Sequence, residues 1–240
     1  MTTPLLDVMG LSRRFGELAA VDDVSFTAEA GRIVSLIGPN GAGKSTIFNL
    51  LTGYLPLSRG SVSFRGRRID GMNTCRIAEL GIARAFQIAR PFRGLSVRDN
   101  VKVGALFGNR DNRGLGVVDE ALALAGLTEL ADRPAAELTI GQLRKLELGR
   151  AFAARPHLLL ADEPLAGLVP AESEEILASL KALAARGAGV LLVEHDMPAV
   201  MKVSDRVVVL EAGRLIAAGR PEEVNRDPRV IEAYLGQEAP

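Results

Sequence analysis

The sequence has little of what disulfides and metal clusters require: among its 240 residues are one cysteine, two histidines and no tryptophan. The single Cys75 cannot form a disulfide within the chain, and two histidines leave few ligands for a zinc cluster. One free thiol in otherwise ordinary composition favours a reducing compartment, and hence a cytoplasmic protein. At this length we expect one domain, or one domain with a subdomain inserted into it.

Net charge and long apolar runs are also absent. The 29 basic and 29 acidic side chains cancel, which removes the broad electrostatic case for a nucleic-acid or anionic-membrane surface. No apolar run reaches the roughly 18 residues of a membrane-spanning helix. The first ten residues lack the charged and apolar regions of a signal peptide. The sequence therefore predicts a soluble protein with no nucleic-acid partner.

Short apolar runs alternate with helical stretches along most of the chain. The apolar runs have the length of buried strands, and the helical stretches show apolar residues at helical spacing. This alternation predicts an α/β fold with a mostly parallel sheet covered by helices on both faces. The expected elements are strand Ile33–Ile37, helix Lys44–Leu51, strand Leu158–Ala161, helix Ala171–Arg186 and strand Gly189–Val193.

Two regions depart from this alternation. The first 30 residues and Ser61–Ile69 are typical of antiparallel strands joined by glycine turns, and they predict an N-terminal β-subdomain. Gln87–Leu138 is rich in helical pattern and is best interpreted as an inserted helical subdomain, with Asn109–Gly116 as its polar loop. We therefore predict a single domain over 1–240, with 1–87 and 150–240 forming the core and its β-subdomain, and 88–149 the helical subdomain.

A glycine-rich segment follows the first buried strand and precedes the first helix. It matches G-x-x-x-x-G-K-[ST], the phosphate loop, in the strand–loop–helix context that this motif requires. Glycines let backbone N–H groups approach phosphate oxygens, and the helix N-terminus adds partial positive charge. Lys44 is expected to reach the β- and γ-phosphates, and Ser45 to bind Mg²⁺. The residues predicted to bind nucleotide here are Gly38, Pro39, Asn40, Gly41, Ala42, Gly43, Lys44, Ser45 and Thr46.

Two adjacent acids follow the second buried strand. Asp162 lies at the carboxyl end of that strand, where ligands bind in open α/β sheets, and we expect it to bind Mg²⁺ through water. Glu163 is the candidate general base for the attacking water, a role worth about 10²–10⁴ in rate. The alternative for the pair is a solvated turn.

Many nucleotide-binding proteins share these two motifs, so a further segment has to choose among them. No Asn-Lys-x-Asp or Thr-Lys-x-Asp sequence is present, which argues against GTPases. Leu138–Ala151 (LTIGQLRKLELGRA) resembles the signature motif of ABC ATPases, usually L-S-G-G-Q. At the positions of this chain that correspond to the motif, the residues implied to bind nucleotide are Thr139, Gly141 and Gln142.

A hydroxyl and a glycine at the start of a helix form a second anion site. A chain needs two distant phosphate sites only if the nucleotide of another subunit fills the second. The sequence therefore predicts a head-to-tail dimer in which ATP lies between Gly43–Lys44 of one subunit and Thr139–Gly141 of the other. The alternative is that Thr139 is simply a helix cap.

The resemblance to ABC ATPases extends to four further positions. Gln87 corresponds to the Q-loop, which touches the metal site and faces the membrane partner, and His195 to the switch histidine at the γ-phosphate. Phe15 corresponds to the aromatic that stacks on adenine, and Ala166–Pro170 to the D-loop. Structural roles remain the alternatives for Gln87, His195 and Phe15. The implied catalytic residues are Glu163, His195, Gln87 and Lys44, and the implied metal ligands are Ser45, Gln87 and Asp162.

Within the ABC ATPases, five segments resemble the ATP-binding subunits of branched-chain amino acid importers. They are Leu36–Lys44 (LIGPNGAGK), Phe48–Gly53 (FNLLTG), Gly81–Gln87 (GIARAFQ), Glu194–Met197 (EHDM) and Val230–Gly236 (VIEAYLG). The lipopolysaccharide-export ATPases have a related tail, and the urea and amide importers are also close. The transported solute is therefore inferred only by analogy.

The resemblance implies ATP and Mg²⁺ as cofactors and a set of partners. These are transmembrane permease subunits, a second ABC ATPase subunit that is identical or paralogous, and, indirectly, a periplasmic or extracellular solute-binding protein. It places the protein in the cytoplasm, peripherally on the inner face of the cell membrane. A non-transport ABC ATPase of DNA repair or translation is the first alternative, but such proteins usually carry coiled-coil arms or two cassettes. A regulatory module without turnover is the second, although it would lack Glu163 or His195.

Three departures from the family pattern bear on function or fold. Thr139 replaces the usual signature serine, which keeps the hydroxyl but adds a methyl group near the γ-phosphate. Val169 stands where the D-loop usually has Asn or Asp, so a polar group is lost at the expected dimer interface. The helical subdomain is short around Asn109–Gly116.

Overall fold

In the computed structural model, which describes residues 4–110 and 114–235, the strands form two sheets. The larger has six strands in the order β10-β9-β3-β8-β7-β6. Neighbours pair in parallel from β9 to β6, and β10 is antiparallel to β9. The bounds are β3 Ile33–Ile37, β6 Ile82–Ala85, β7 Leu158–Asp162, β8 Gly189–Val193, β9 Arg206–Glu211 and β10 Arg214–Gly219.

The central strands are buried on both faces, with helices on one face and helices together with the second sheet on the other. Every residue of β3, β7 and β8 is buried, as expected for parallel strands inside an α/β fold. The predicted α/β class is therefore confirmed. Parallel strands place their carboxyl ends at one edge, so the residues that follow β3, β6, β7 and β8 gather there.

The second sheet is the predicted N-terminal β-subdomain, with strands in the order β2-β1-β4-β5. All its described pairings are antiparallel. Arg65 and Gly66 link the last two strands, and both have positive φ (51° and 75°), which matches the two-residue turn that suits the twist of a hairpin. The bounds are β1 Leu6–Phe15, β2 Leu18–Ala28, β4 Arg59–Phe64 and β5 Arg67–Arg68.

The helices cover the larger sheet and form the helical insertion. They are α1 Lys44–Leu51, α2 Thr74–Glu79, α3 Val97–Phe107, α4 Val118–Leu124, α5 Ile140–Ala153, α6 Pro170–Ala185, α7 Met197–Val203, α8 Pro221–Val224 and α9 Pro228–Leu235. In the insertion α3, α4 and α5 share an apolar cluster that includes Val101, Leu122 and Leu146. The boundary predicted at residue 149 falls inside α5. Residues 111–113 of the predicted loop lie outside the described residues.

The carboxyl-terminal helices pack beside β9 and β10. Val230 of α9 is buried in a cluster with Ile37 and Val209, and Tyr234 packs against the same cluster. Burial raises the pKa of Tyr234 to about 12. None of the helices in the described ranges is long and apolar enough to span a lipid bilayer.

Candidate nucleotide-binding site

The phosphate-loop segment connects β3 to α1 and makes two close approaches to neighbouring backbone. Gly38 has φ 147°, and a Cβ there would lie 2.1 Å from the carbonyl oxygen of Leu210. Gly43 has φ 101°, and its Cβ would lie 2.6 Å from the carbonyl oxygen of Ala20. Neither position tolerates a side chain without moving backbone. The loop is therefore held between β9 and β2.

The amino end of α1 is open to an anion. Its N-cap is Gly43, which provides no side-chain hydrogen bond, and no acidic residue occupies the first turn. The first N–H groups of a helix have no partners within the helix and carry partial positive charge. Asn40 and Gly41 of the preceding loop are exposed, as is Ser45 in the first turn. This end of α1 has the geometry that binds phosphate in other proteins.

Lys44 is the buried cation of the loop. Its side chain folds back so that Nζ donates to the carbonyl oxygens of Gly38 (2.5 Å) and Pro39 (2.9 Å), and the residue is only 5% exposed. Burial lowers the pKa of Lys44, while the negative charges of Glu163 and Asp162 oppose that shift. Phosphate oxygens are stronger acceptors than carbonyls for an ammonium group. Lys44 is thus a cation whose present acceptors a phosphate can replace.

Asp162 ends β7 and is paired with a residue that the sequence reasoning missed. Arg84 of β6 donates from Nη2 to Asp162 Oδ2 at 2.6 Å, and both side chains are nearly buried. One sequence signal was available. Arg84 is a charged residue within the short apolar strand β6, and a buried charge requires a partner.

Glu163, the residue after β7, has a strained backbone and a bridging side chain. Its φ is 47°, a conformation uncommon for residues other than glycine, which occurs in turns and clusters at functional sites. The carboxylate accepts hydrogen bonds from His195 Nε2 on one oxygen (2.6 Å) and from Gln87 Nε2 on the other. Because a carboxylate only accepts, this contact requires the His195 tautomer that carries its proton on Nε2. The structure therefore brings together Gln87, Glu163 and His195 from the ends of three strands.

Glu194 supports this group from behind and was also missed by the sequence reasoning. Its buried carboxylate accepts from the backbone N–H of Leu165 (2.8 Å) and of His195 (3.2 Å). Burial raises the pKa of Glu194, the two backbone donors lower it, and the charge of Glu163 raises it further. The side chain ties the turn after Glu163 to the residue after β8. The signal in the sequence is an acid directly after an apolar strand.

Phe15 lies at the end of β1, beside the hairpin that approaches the phosphate loop. The ring is exposed, and the guanidinium of Arg13 lies 4.7 Å from its centroid. On the same hairpin, the carbonyl oxygen of Ala20 makes the close approach to Gly43. Stacking of Phe15 on adenine remains a prediction.

The signature segment begins α5 and forms a complete capping box. Thr139 Oγ1 accepts from the backbone N–H of Gln142 (3.3 Å), and the Gln142 side chain accepts from the backbone N–H of Thr139 (3.0 Å). A Cβ on Gly141 would lie 2.2 Å from Oε1 of Glu172 in α6. Thr139 therefore acts as a helix cap in this structure, and its contact with the nucleotide of another subunit remains a prediction.

Val169, the departure noted in the D-loop, occupies the N-cap position of α6. Its backbone has the extended conformation of an N-cap (φ −77°, ψ 157°), but valine has no oxygen to accept a hydrogen bond. The side chain is exposed. Glu172 reaches back to the backbone N–H of Val169 at 3.4 Å. Half of a capping box is therefore present, and the half that Asn or Asp would supply is missing.

Comparison with known proteins accounts for nearly the whole chain. The ABC transporter family model matches residues 21–166, and the model of the branched-chain amino acid ATP-binding cassette transporter matches residues 214–240. The high-affinity branched-chain amino acid transport ATP-binding protein BraF of Pseudomonas aeruginosa is 38% identical over 254 aligned positions, which cover 99% of this chain and 100% of BraF. The corresponding protein LivG of Salmonella typhimurium is 41% identical over 256 positions, which cover 99% of this chain and 100% of LivG.

A solved structure gives the same result for the fold. The ADP conformation of an ATP-binding cassette of an ABC transporter superposes with a TM-score of 0.88 and 32% identity, and the match covers 98% of this chain and 100% of that one. The family match, the relatives and the fold agree with the site described above. The chain therefore belongs to the ABC transporter family, in which it is an ATP-binding subunit of the ATP-hydrolysing type.

Proposed function

We propose that this ATPase powers import of branched-chain amino acids, or of similar polar solutes, through an ABC transporter. The observation that carries the proposal is the match of residues 214–240 to the branched-chain amino acid family model, because this region lies outside the general ABC match at 21–166. BraF and LivG, whose names describe that transport, align over their full length. The alternatives to be tested are export of lipopolysaccharide and import of urea or amides.

Nucleotide binding in this proposal depends on the phosphate loop. Backbone N–H groups from Gly38 to Thr46 and the ammonium of Lys44 bind the phosphates, and Phe15 stacks on the adenine. Lys44 leaves its two carbonyl acceptors when phosphate oxygens arrive. Two glycine positions that exclude a Cβ, an uncapped helix end and a buried lysine together support this role.

The three residues that we assign to Mg²⁺ all offer oxygen donors. The hydroxyl of Ser45, the carboxylate of Asp162 and the amide oxygen of Gln87 are hard donors of the kind this ion prefers. One carboxylate oxygen of Asp162 forms an ion pair with Arg84, and among the described residues the other oxygen makes no hydrogen bond. When bound, the ion would neutralise phosphate charge that develops during transfer.

Glu163 acts as the general base in the hydrolysis. It takes a proton from water, the resulting hydroxide attacks the γ-phosphorus, and the bond to the bridging oxygen of ADP breaks to release phosphate. His195 and Gln87 hold the two carboxylate oxygens, so the base has a fixed orientation before the substrate arrives. Positioning and electrostatic stabilisation supply most of the rate in such phosphoryl transfers.

A second ATPase subunit, identical or paralogous, completes the site in a head-to-tail dimer. Thr139, Gly141 and Gln142 lie at the amino end of a helix of 14 residues. Their hydrogen bonds in the described structure stay within the capping box, and Gly141 packs on α6. In such a dimer the phosphate loop of the other subunit approaches the amino end of this helix. Val169 faces solvent at the start of α6 and would lie near that interface.

The permease subunits dock near Gln87. The chain beyond it exposes Ile88 (67%) and Phe92 (49%), and Phe86 and Tyr54 form an exposed edge-to-face aromatic pair beside it. Clustered exposed apolar side chains mark surfaces that another molecule covers. The protein thus sits peripherally on the cytoplasmic face of the membrane, and a solute-binding protein acts on it only through the permease.

Reconstitution tests the proposed function. The chain is co-expressed with its permease subunits, purified as a complex and placed in vesicles containing ATP. With the cognate solute-binding protein outside, we expect ATP-dependent accumulation of labelled leucine, isoleucine or valine. A complex with Glu163→Gln is the matched control and should not accumulate solute. Accumulation of urea or of a short amide instead, with none of branched-chain amino acids, would overturn the assignment of the solute.

A further inference from the structure

Arg84 is a nearly buried cation in the edge strand of the larger sheet, diagonally across from the acid that we assign to the metal. Strand β6 pairs in parallel with β7, and Arg84 is in register with Leu160. Asp162 is two residues farther along β7, so both side chains project from the same face as a diagonal cross-strand pair. Their exposed fractions are 9% and 7%, and the Nη2–Oδ2 distance is 2.6 Å.

The other contacts of Arg84 extend to the phosphate-loop helix and to the residue before Gln87. Its Nη1 donates to Asn49 Oδ1 of α1 at 2.7 Å. The guanidinium carbon lies 5.5 Å from the ring centroid of Phe48 and 4.8 Å from that of Phe86. One side chain therefore touches α1, the carboxyl end of β7 and the start of the Q-loop segment.

A buried pair of charges is an inefficient source of fold stability. Taking a guanidinium and a carboxylate out of water costs several kilocalories per mole each, and an apolar pair of similar volume is often as stable. Among the described residues, Arg84 Nε is buried without a hydrogen-bond partner, which adds to the cost. A contribution to function would explain why a charged pair occupies this position.

We propose that Arg84 is a positioning residue that keeps Mg²⁺ away from Asp162 until nucleotide arrives. This inference rests on the proposed metal role of Asp162. In the nucleotide-free chain, Arg84 occupies Oδ2 and neutralises the carboxylate, so a divalent cation alone meets a site whose charge is already balanced. The phosphates of ATP add negative charge beside Lys44 and Asp162, and only then does the site attract the metal. Arg84 also fixes the Asp162 carboxylate against Asn49, so that the acid and α1 keep one relative position.

The proposed role depends on the positive charge of Arg84 and not on the shape of its guanidinium group. Two substitutions test these properties separately. Arg84→Lys keeps the positive charge but loses the guanidinium geometry, whereas Arg84→Gln keeps a hydrogen-bond donor but loses the charge. Binding of Mn²⁺ to the nucleotide-free protein is measured from the electron paramagnetic resonance of the free ion. We expect Arg84→Gln to bind Mn²⁺ roughly tenfold more tightly than wild type, because a unit charge has been removed within a few ångströms of the ligand oxygens. Arg84→Lys should bind Mn²⁺ as weakly as wild type.

A second readout excludes a purely structural effect. Both substitutions lose the simultaneous hydrogen bonds of the guanidinium to Asp162 and Asn49, so thermal unfolding temperatures in EDTA should fall in both, whereas only Arg84→Gln should gain Mn²⁺ affinity. The exposed Arg76, which pairs with Glu79 on α2, gives the matched control Arg76→Gln, for which no change in Mn²⁺ affinity is expected. Unchanged or weaker Mn²⁺ binding by Arg84→Gln would overturn the inference, as would a gain of equal size in Arg84→Lys.

Asp162→Asn distinguishes failure of this inference from failure of the proposed metal role. In wild type with ATP, Mn²⁺ binding should be strong and should be lost in Asp162→Asn. If that loss occurs but Arg84→Gln behaves as wild type, only the role of Arg84 is wrong. If Asp162→Asn binds Mn²⁺ with ATP as well as wild type does, the assignment of Asp162 to the metal is wrong and this inference is rejected with it.

Discussion

His195 Nε2 lies 2.6 Å from Oε1 of Glu163, and the second oxygen of the same carboxylate accepts from Gln87. Glu163 has a left-handed backbone (φ 47°), which the preceding strand and its hydrogen bond to Val193 hold in place. Two side chains, each from the end of a different strand, thus hold the Glu163 carboxylate before any substrate is present. Because these side chains are already positioned, fewer groups lose conformational freedom when ATP binds.

Replacing Lys44 with alanine should remove most of the affinity for ATP. The ammonium is buried, and its only described acceptors are carbonyls of its own loop, so it is available to the phosphates. A charged hydrogen bond of this kind contributes about 1.5–3 kcal/mol, so we expect at least a tenfold rise in the dissociation constant by titration calorimetry. Lys102→Ala, at a partly exposed lysine of α3 paired with Asp99, is the control and should bind ATP as wild type does. Tight binding by Lys44→Ala would contradict the assignment of the phosphate loop.

Glu194 should give the free energy of unfolding a specific pH dependence. Burial raises its pKa above the value of 4.5 in the unfolded chain. Between those two pKa values the folded state holds more protons, so the free energy of unfolding falls as pH rises through that range. The unfavourable contribution is absent below the unfolded pKa and is fully present above the raised pKa.

Glu194→Gln removes this titration, and urea unfolding at a series of pH values measures the effect. Between the unfolded and the raised pKa of Glu194, we expect the free energy of unfolding to fall less steeply with pH in the variant than in wild type. Glu129→Gln, at an exposed glutamate, controls for the loss of one carboxylate. An unchanged slope in Glu194→Gln would show that this carboxylate does not titrate as described.

Val169→Asn should stabilise the protein. The backbone at Val169 already has N-cap geometry, and an asparagine oxygen would accept from an N–H group in the first turn of α6 that valine leaves without this partner. N-cap oxygens contribute about 1 kcal/mol, so the free energy of unfolding should rise by about that amount in urea titrations. Val169→Ala adds no acceptor and serves as the control. Equal stability of the two variants would mean that the cap does not form.

Thr139 has a role in the fold and a proposed role at the second nucleotide, and two substitutions separate them. Thr139→Ser keeps the hydroxyl that caps α5 and removes a methyl group, so stability should hold and ATP turnover should equal or exceed that of wild type. Thr139→Ala loses the cap at a cost of about 1 kcal/mol and should also weaken ATP-dependent dimerisation. Light scattering with and without ATP measures the dimer. Dimerisation of Thr139→Ala equal to that of wild type would leave Thr139 as a cap alone.

The parts of the fold that follow from local pattern were predictable to within a residue. Helix Lys44–Leu51 and strands Ile33–Ile37 and Gly189–Val193 have the predicted bounds, because uninterrupted apolar runs, glycines and a proline mark their limits. The edges of the helical insertion were less predictable. Residue 149 lies in the middle of α5, since a helix that serves both the insertion and the core shows no break in its sequence.

The residues of the site were predictable where a motif specifies them and not where distant residues meet. Glu163 and His195 are separated by a helix and a strand, and only the family pattern suggested their proximity. Arg84 and Asp162 are 78 residues apart, and their pairing follows from the register of β6 on β7, which no local signal encodes. Glu194 was missed for a similar reason, because its hydrogen bond to Leu165 depends on how β8 lies beside β7.

The most direct test of the account is single-turnover hydrolysis by Glu163→Gln, with ATP affinity measured on the same sample. The variant keeps an oxygen and an amide near His195 and Gln87 but has no carboxylate base. We predict that it binds ATP as wild type does, accumulates as an ATP-bound dimer and hydrolyses ATP about 10²–10⁴-fold more slowly. Hydrolysis near the wild-type rate, at unchanged affinity, would contradict the claim that Glu163 is the general base of this ATPase.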